Sequence, residues 1–468
     1  MAVVTNAVAP TPVAQWRALR RASRRAQRAL VSAWTGFFVD MVDIYLPVIA
    51  LAPAIAYFQP ANMTAAQASL LFYTTFAATL IGRPLGAVVF GHLADTLGRR
   101  RLTLVSIAGF STCTTLIGLL PGYAQIGFAA PLLLVLLRLV DGVFLGGEYT
   151  AATPLAFEHC PPAARGLFGG LLMGAYALAY AVISALVLLL LIVLPAEHYQ
   201  TVGWRLPFLA GGAIGFVFLA YRSRVPESDL WQRTPTEPAP IRALVAGRFR
   251  GDLSQVLMLM TGLWFVATSV VSIMPRLLRV DLGWPDVWVT SVLMVAQLLV
   301  LVGFVVTGVI SQIVGRRRTF VVAALLSGTL GLGAYYLLVV GRHPAWTAGL
   351  LAVVTQVVVL AVWGVVTSYC TERFVTAVRS SGFGIAYSFA VLPASFYVVY
   401  LGLLDNVMPH RYTQLVLLAF GVTLTIAGAL LGPETVRTDL SAGPPDRTTA
   451  VPTRPIEGRV NESMSTNR

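Results

Sequence analysis

Long apolar stretches alternate with short polar segments along most of this chain. Each stretch holds about 20 residues, which is the length that an α-helix needs to cross the hydrocarbon core of a bilayer. We count twelve of them, near residues 30–56, 66–90, 102–121, 129–157, 166–195, 204–221, 253–279, 287–313, 319–341, 345–371, 381–404 and 412–432. The pattern predicts an all-α membrane protein with twelve transmembrane helices.

A longer polar stretch divides the twelve segments six and six, and short motifs recur in the two halves. "GHLADTLGRRR" at 91–101 returns as "GVISQIVGRRR" at 308–318, and "PES" at 226–228 returns as "PET" at 433–435. We therefore expect two pseudo-symmetric six-helix bundles, as in transporters built from internal repeats. The predicted units are a basic segment 1–28, a bundle 29–221, a central cytoplasmic loop 222–252, a bundle 253–432 and a disordered cytoplasmic tail 433–468.

The positions of the arginines predict the orientation of these helices. Most of the 33 basic residues lie in the terminal segments, the central loop and the loops on the same side, and five lie on the opposite side: Arg205, Arg276, Arg279, Arg342 and Arg411. Cytoplasmic loops carry the excess of basic residues in membrane proteins. We expect a multi-pass protein of the cell (inner) membrane with both termini in the cytoplasm.

Composition excludes several classes of protein. The chain is 57% hydrophobic and 11% charged, whereas soluble domains carry about 25% charged residues. The net charge of +13 follows from the positive-inside bias, and no nucleic-acid-binding motif is present. The three cysteines and five histidines lack metal-ligand spacing, and no nucleophile–base pair is recognisable. We expect no cofactor, no metal, no nucleic-acid partner and no enzymatic activity.

The loop between the second and third predicted helices resembles the most specific signature of the major facilitator superfamily, with Gly91, Asp95, Gly98, Arg99, Arg100 and Arg101 in place. The resemblance extends to about residue 440 and implies a carrier that works by alternating access. It implies a cytoplasmic gate in which Asp95 and the arginines make charge-assisted bonds. We assign to this gate also Glu148, Glu158, Arg165, Gly315, Arg316, Glu372 and Arg379. Because Gln312 stands where the second copy would have its aspartate, we expect a weaker lock there.

Further motifs resemble the metabolite:proton symporter branch of that superfamily. They are "RPLGAVVFGHLADTLGRR" at 83–100, "RLVDGVFLGGEY" at 138–149 and "GWRLPF" at 203–208. The resemblance implies import of small carboxylates or zwitterionic osmolytes together with protons. The first helix departs from that branch with "DMVD" at 40–43, and Asp141 replaces a usual glutamine. The paired E-x6-R motifs and "PES"/"PET" resemble sugar porters, and "GPETVRTDL" resembles sialate and lactate carriers.

Charged residues inside the first bundle are the candidate chemistry. Asp40 and Asp43 share one face of the first helix, and Arg138, Asp141 and Glu148 share one face of the fourth. Four acids face two bases, Arg83 and Arg138, so two carboxylates lack a basic partner. A buried unpaired carboxylate takes up a proton, which is the chemistry of a proton relay. We predict proton coupling through Asp40, Asp43 and Asp141.

Substrate contacts are predicted from both halves. Arg138 and Arg83 are candidates for an anionic substrate, although Arg138 could be a static partner of Asp141 and Arg83 could snorkel to the cytoplasm. In the second half, Gln297 and Gln356 are amides in mid-membrane that require partners. Trp264, Trp363 and Tyr387 are the aromatic candidates.

The sequence favours proton-coupled uptake of a small organic anion, such as a mono- or dicarboxylate, by a carrier that functions as a monomer. Its predicted partners are the small-molecule substrate, protons and the lipid bilayer. The same acids could instead bind a cation, so proton-driven export of cationic or drug-like compounds remains an alternative, and sugar:proton symport is another. A sensor would need a cytoplasmic domain, and the segments 222–250 and 433–468 are too short and polar to form one.

Overall fold

The computed structural model describes residues 10–60, 63–97, 99–223, 240–341 and 343–440, apart from the side chains of 65–66, 68–69, 72–73, 91–97, 99–100, 148–152, 155, 240 and 377. The regular elements of these residues are helical. The longer helices are α1 (Pro12–Arg21), α2 (Arg24–Phe58), α3 (Ala65–Leu97), α4 (Arg99–Leu119), α5 (Ala129–His159), α6 (Arg165–Val193), α7 (Arg205–Arg222), α8 (Arg250–Asp281), α9 (Asp286–Val314), α10 (Arg316–Val340), α11 (Ala345–Arg373), α12 (Arg379–Leu404) and α13 (His410–Leu431). Short helices cover Tyr123–Ile126, Pro162–Ala164, Ala196–His198, Pro240–Val245 and Thr376–Val378.

The predicted all-α membrane architecture is confirmed. In the described residues, 11 helices are long and apolar enough to cross a membrane. The remaining predicted span corresponds to α3, whose shorter apolar part is Thr74–Phe90. The first span is longer than its apolar stretch suggested, because α2 begins at Arg24 and continues through a π-helical turn at Pro47–Leu51 and a 3₁₀ turn at Ala52–Phe58. Pro47 and Pro53 lack an N–H donor, which favours such local departures from α-geometry.

Glycines allow α3 and α5 to cross at very short range. A Cβ atom on Gly86 would lie 1.9 Å from the carbonyl oxygen of Val143, and one on Gly142 would lie 2.1 Å from that of Thr79. Small residues permit this backbone contact between membrane helices. The crossing places Arg83 of α3 and Arg138 of α5 in the same part of the first bundle.

The two halves meet mainly along α6 and α9, with further contacts of α12 against α3 and α5. A Cβ atom on Gly166 would lie 2.4 Å from the carbonyl oxygen of Gly308, and one on Gly308 would lie 2.5 Å from that of Gly166. We call the end of the molecule that carries Arg165, Arg316 and Leu440 the terminal face, because both ends of the described chain lie there. The opposite end is the far face.

The bounds of the helices differ from the sequence-predicted units. Helix α2 begins at Arg24, inside the predicted basic segment 1–28. Helix α8 begins at Arg250, inside the segment assigned to the central loop. Residues 433–440, assigned to the tail, contact both halves on the terminal face through Arg165 and Arg379. The remainder of the tail, 441–468, lies outside the described residues.

Candidate functional site

A small cavity lies between the two halves, midway along the helices. It encloses about 30 Å³, and its walls include Phe37, Tyr45 and Arg83 from the first half and Trp264, Trp363 and Tyr387 from the second. That volume has room for about two water molecules. The helices must therefore separate before an organic molecule can enter.

The far face is also closed around this cavity. Ile49 and Tyr180 of the first half line a gap of about 10 Å³ together with Arg279 and Val289 of the second. Tyr180 and Val289 are both 1% exposed. The terminal face is bridged as well, by contacts between the two halves among the described residues.

Aromatic rings form the second-half wall of the cavity. The centroids of Trp264 and Trp363 are 5.0 Å apart and those of Trp264 and Tyr387 are 5.4 Å apart, each pair in an edge-to-face arrangement. The indole N–H of Trp264 donates to the carbonyl oxygen of Tyr387 at 3.2 Å. Edge-to-face packing of this kind is favourable, so the three rings support one another.

Arg83 is the charged side chain among the described residues that line the cavity. Its Nη2 atom donates to Oδ2 of Asp40 at 3.4 Å. Its Cζ atom lies 5.6 Å from the ring centroid of Tyr387 in the second half, within the range of a cation–π interaction. Arg83 thus joins a carboxylate of its own half to the aromatic wall of the other.

A second charged cluster lies behind the cavity wall. Nη1 of Arg138 is 3.0 Å from Oδ2 of Asp141 and 3.8 Å from Oδ2 of Asp43. The guanidinium also donates to the carbonyl oxygens of Asp43 and Ile44, both at 3.4 Å, and the hydroxyl of Thr114 donates to Oδ1 of Asp43. Sequence reasoning missed Thr114, because only its tertiary contact with Asp43 distinguishes it from other threonines.

The charge balance of this cluster is the basis for its chemistry. Asp43 and Asp141 share Arg138, whereas Asp40 has Arg83. All five side chains are buried. Two carboxylates against one guanidinium leave an excess negative charge in an apolar surrounding, and a bound proton removes it. The cluster can therefore exchange one proton.

The two glutamines predicted to contact the substrate form a hydrogen bond with each other in this conformation. Nε2 of Gln297 donates to Oε1 of Gln356 at 2.9 Å, which links α9 to α11. Both side chains are buried, and neither they nor Arg138 belong to the cavity lining. Of the predicted substrate contacts, the lining includes Arg83, Trp264, Trp363 and Tyr387.

Ion pairs bridge or support the two halves on the terminal face. Nη1 of Arg379 donates to Oε1 of Glu158 in the other half at 2.6 Å. Within the second half, Arg316 makes two bonds to Glu372, at 3.0 and 3.1 Å. Nη1 of Arg165 donates to the carbonyl oxygen of Thr438 at 2.7 Å. The predicted gate residues Glu158, Arg165, Arg316, Glu372 and Arg379 are thus brought together.

Gln312 also links the two halves on this face. Its Oε1 atom accepts from the backbone N–H of Gly166 at 2.8 Å, and its Nε2 atom donates to the carbonyl oxygen of Pro162 at 3.2 Å. An amide can donate and accept at once, whereas an ionised aspartate only accepts. Gln312, which stands at the aspartate position of the second motif, therefore makes contacts that an ionised aspartate could not all make.

Residues 433–440 form a strap across the terminal face. The carboxylate of Glu434 accepts from the backbone N–H groups of Arg316 and Arg317 at the start of α10, at 2.7 and 3.2 Å. It lies against Gly315, whose φ of 110° and lack of a Cβ permit this approach. The carbonyl oxygen of Leu440 accepts from Arg379 and from the hydroxyl of Thr376, both at 3.0 Å.

Some predicted gate residues lie outside the part of the chain whose side chains are described: Gly91, Asp95, Gly98, Arg99, Arg100 and Glu148. Arg101, at the start of α4, is exposed. An unpredicted contact comes from α1, where the buried Gln15 donates to the carbonyl oxygen of Val309 at 3.3 Å. The sequence does not distinguish Gln15 from the other polar residues of the segment 1–28.

Comparisons with known proteins agree with this architecture. The family model of the Major Facilitator Superfamily matches residues 33–398. The chain is 31% identical over 379 residues to the inner membrane metabolite transport protein YhjE of Escherichia coli (strain K12), which covers 79% of this chain and 85% of that protein. It is 26% identical to the shikimate transporter of the same organism, over 78% and 84% of the two chains.

The solved structure of a D-xylose–proton symporter superposes on this chain with a TM-score of 0.69 at 18% sequence identity. The match covers 88% of this chain and 98% of the symporter's chain. At that identity the likeness concerns the fold. The matches cover most of both chains, so the relation extends over the two bundles.

Proposed function

Because the chain belongs to the major facilitator superfamily and is a multi-pass membrane transporter of small molecules, we propose that it imports a small organic anion together with a proton. The observation that carries the proposal is the sharing of Arg138 by Asp43 and Asp141, 3.8 and 3.0 Å away, next to a cavity that presents Arg83. An anion site and a group that exchanges a proton are the two parts such a symporter requires.

The proton is assigned to the Asp43, Asp141 and Arg138 cluster. A proton on either acid leaves the cluster neutral, which lowers the cost of enclosing it when the water-filled access path closes. Thr114 holds the carboxylate of Asp43, and Asp141 lies closer to the guanidinium. Asp43 is therefore the acid that we assign as the carrier, with Asp141 as the steady partner of Arg138.

The substrate is assigned to Arg83. Its contact with Asp40, at 3.4 Å, is longer than the usual bond of an arginine to a carboxylate. A substrate carboxylate can compete with Asp40 for the guanidinium, and a proton on Asp40 favours the substrate in that competition. Asp40 thus sets how readily the substrate gains Arg83, whereas Asp43 carries the transported proton.

Contacts between the halves on both faces support alternating access as the mechanism. Opening towards the terminal face requires that the contacts of Glu158 with Arg379 and of Gln312 with Gly166 separate, since each joins the two halves. We assign the terminal face to the cytoplasm and the protein to the inner membrane on the arginine distribution. A single chain contains both halves of the cavity, so we propose that the monomer transports.

The second candidate function is proton-driven export of cations. The aromatic wall of Trp264, Trp363 and Tyr387 favours it, since aromatic faces attract cations. Sugar:proton symport is the third candidate. It is included because the D-xylose–proton symporter named above has the same fold. Arg83 in the cavity favours the anion over both.

Reconstituted liposomes with an acid exterior test the proposal. Labelled carboxylates are offered to the wild type, to Asp43→Asn and to Asp405→Asn, a matched change of an exposed aspartate that contacts His410 on the far face. We expect accumulation by the wild type and by Asp405→Asn. Asp43→Asn should no longer accumulate substrate against the substrate's own concentration gradient. The variant should keep exchange of labelled for unlabelled substrate, which shows that it is folded. If no carboxylate accumulates while cations are driven out, the anion proposal is wrong.

A further inference from the structure

We infer that the transported anion carries one carboxylate on a flat, apolar ring. This inference rests on the proposed function and narrows its substrate class, which the sequence left open between mono- and dicarboxylates. Two observations support it: the number of cationic side chains around the cavity, and the chemistry of the side chains that form the cavity wall.

The cavity offers one cation to a ligand. Arg83 is the charged side chain among the described lining residues. The nearest candidate for a second carboxylate is Arg138, which is fully buried, 3.0 Å from Asp141, and donates to two backbone carbonyl oxygens. A second ligand carboxylate would therefore be removed from water with no cation to compensate it. Burial of an unpaired charge is strongly unfavourable, so the site selects against dicarboxylates.

The wall favours an apolar, planar body. Trp264 and Trp363 stand edge to face at 73°, and Trp264 and Tyr387 stand at 76°. Phe304 extends the same apolar lining towards the interface of the halves. Rings arranged in this way offer both faces and edges to an inserted aromatic ring. A polyhydroxylated ligand would find few polar partners on these surfaces.

Polar groups in the wall await hydrogen-bond partners, among them the buried hydroxyl of Tyr176. The indole N–H of Trp363 is buried and has no hydrogen-bond acceptor among the described residues. A buried donor without a partner destabilises the protein, and an oxygen of the ligand would satisfy it. Trp363 therefore adds a hydrogen bond to the carboxylate contact of Arg83, and together they orient the ring.

Calorimetric titration of the purified full-length protein at acidic pH tests the inference. The probes are benzoate, terephthalate, which adds a second carboxylate at the opposite end, benzamide, which removes the charge, and succinate, an aliphatic dicarboxylate. We expect benzoate to bind at least tenfold more tightly than each of the other three. The affinities are measured for the wild type and for Arg83→Gln, which should remove the preference of benzoate over benzamide.

Two tryptophan variants separate the hydrogen bond from general packing. Trp363→Phe keeps a ring but removes the donor, and we expect it to weaken benzoate binding roughly tenfold. Trp288→Phe is the control, since Trp288 is exposed and is not part of the lining. Equal effects of the two changes would count against the role of Trp363.

The outcomes distinguish the inference from the proposed function. If terephthalate or succinate binds as tightly as benzoate, the single-carboxylate inference is overturned, while uptake of an organic anion stands. If benzoate does not bind and another carboxylate accumulates in the liposome assay, the inference is likewise overturned. If no carboxylate binds or accumulates, the proposed function fails together with it.

Discussion

Arg379 of α12 donates to Glu158 of α5 at 2.6 Å, so a charge-assisted bond joins the two halves on the terminal face. Arg379 also donates to the carbonyl oxygens of Phe374 in its own half and of Leu440 in the strap. The arginine is therefore held by its own half, whereas Glu158 supplies the link to the other. Removal of the glutamate charge weakens the link and leaves the arginine bonded.

We expect Glu158→Gln to open the terminal face more often. A hydrogen bond to a charged group contributes about 1.5–3 kcal/mol, so the open fraction should rise roughly tenfold or more. Cys160 is buried two residues from Glu158, and its rate of alkylation by a maleimide measures the opening. Cys113, in the middle of α4, is the internal control. Unchanged labelling of Cys160 would show that the pair does not hold the face closed.

The acidic cluster predicts a non-additive result. Asp43→Asn and Asp141→Asn each leave one carboxylate for Arg138, so each variant should fold and should lose the pH dependence of substrate exchange. The double variant leaves a buried guanidinium without a carboxylate, which costs about 3–5 kcal/mol. We expect its melting temperature to fall far more than the sum of the single effects. Addition of Arg138→Met to the double variant should restore much of that loss.

If the double variant is as stable as either single variant, another group compensates the charge of Arg138. The three residues Asp43, Asp141 and Arg138 then do not form a separate cluster. If a single variant keeps the wild-type pH dependence of exchange, the proton is carried elsewhere, and Asp40 is the next acid to change.

The crossing of α3 and α5 predicts a strong effect from one methyl group. Gly86→Ala would place a Cβ 1.9 Å from the carbonyl oxygen of Val143, so the helices must move apart. We expect a lower melting temperature and reduced transport, because both arginines of the interior lie on these helices. Gly402→Ala is the matched control, since nothing lies within 4 Å of the added atom and alanine favours a helix by about 1 kcal/mol. Equal stability of the two variants would contradict the close crossing.

The strap 433–440 predicts a difference between two truncations. A chain that ends at Pro445 keeps the carbonyl oxygens of Thr438 and Leu440, which accept from Arg165 and Arg379. A chain that ends at Gly432 loses both, together with the Glu434 carboxylate at the start of α10. We expect the shorter chain to melt at a lower temperature and to show faster labelling of Cys160. The longer truncation should behave as the full chain does. Identical behaviour of the two would remove the strap from the gate.

Periodicity and charge identified most of the architecture before any coordinates. Twelve apolar stretches require helices, because a membrane leaves no other partner for the backbone N–H and C=O groups. The acids Asp40 and Asp43 were recognisable as functional candidates since a carboxylate is expensive in an apolar setting. The repeated Glu158/Arg165 and Glu372/Arg379 spacing indicated residues of the predicted cytoplasmic gate. The structure brings these side chains together on the terminal face.

Tertiary structure alone decided which charged groups meet. Arg83 and Arg138 were equivalent candidates in the sequence, yet Arg83 lines the cavity and Arg138 lies behind it with Asp43 and Asp141. The difference depends on the rotation of α3 and α5 about their close crossing, which is set by backbone contacts between helices distant in sequence. Gln297 and Gln356 likewise bond to each other and lie outside the cavity lining. Helical periodicity determines the face on which a side chain lies, but packing determines the partner that this face meets.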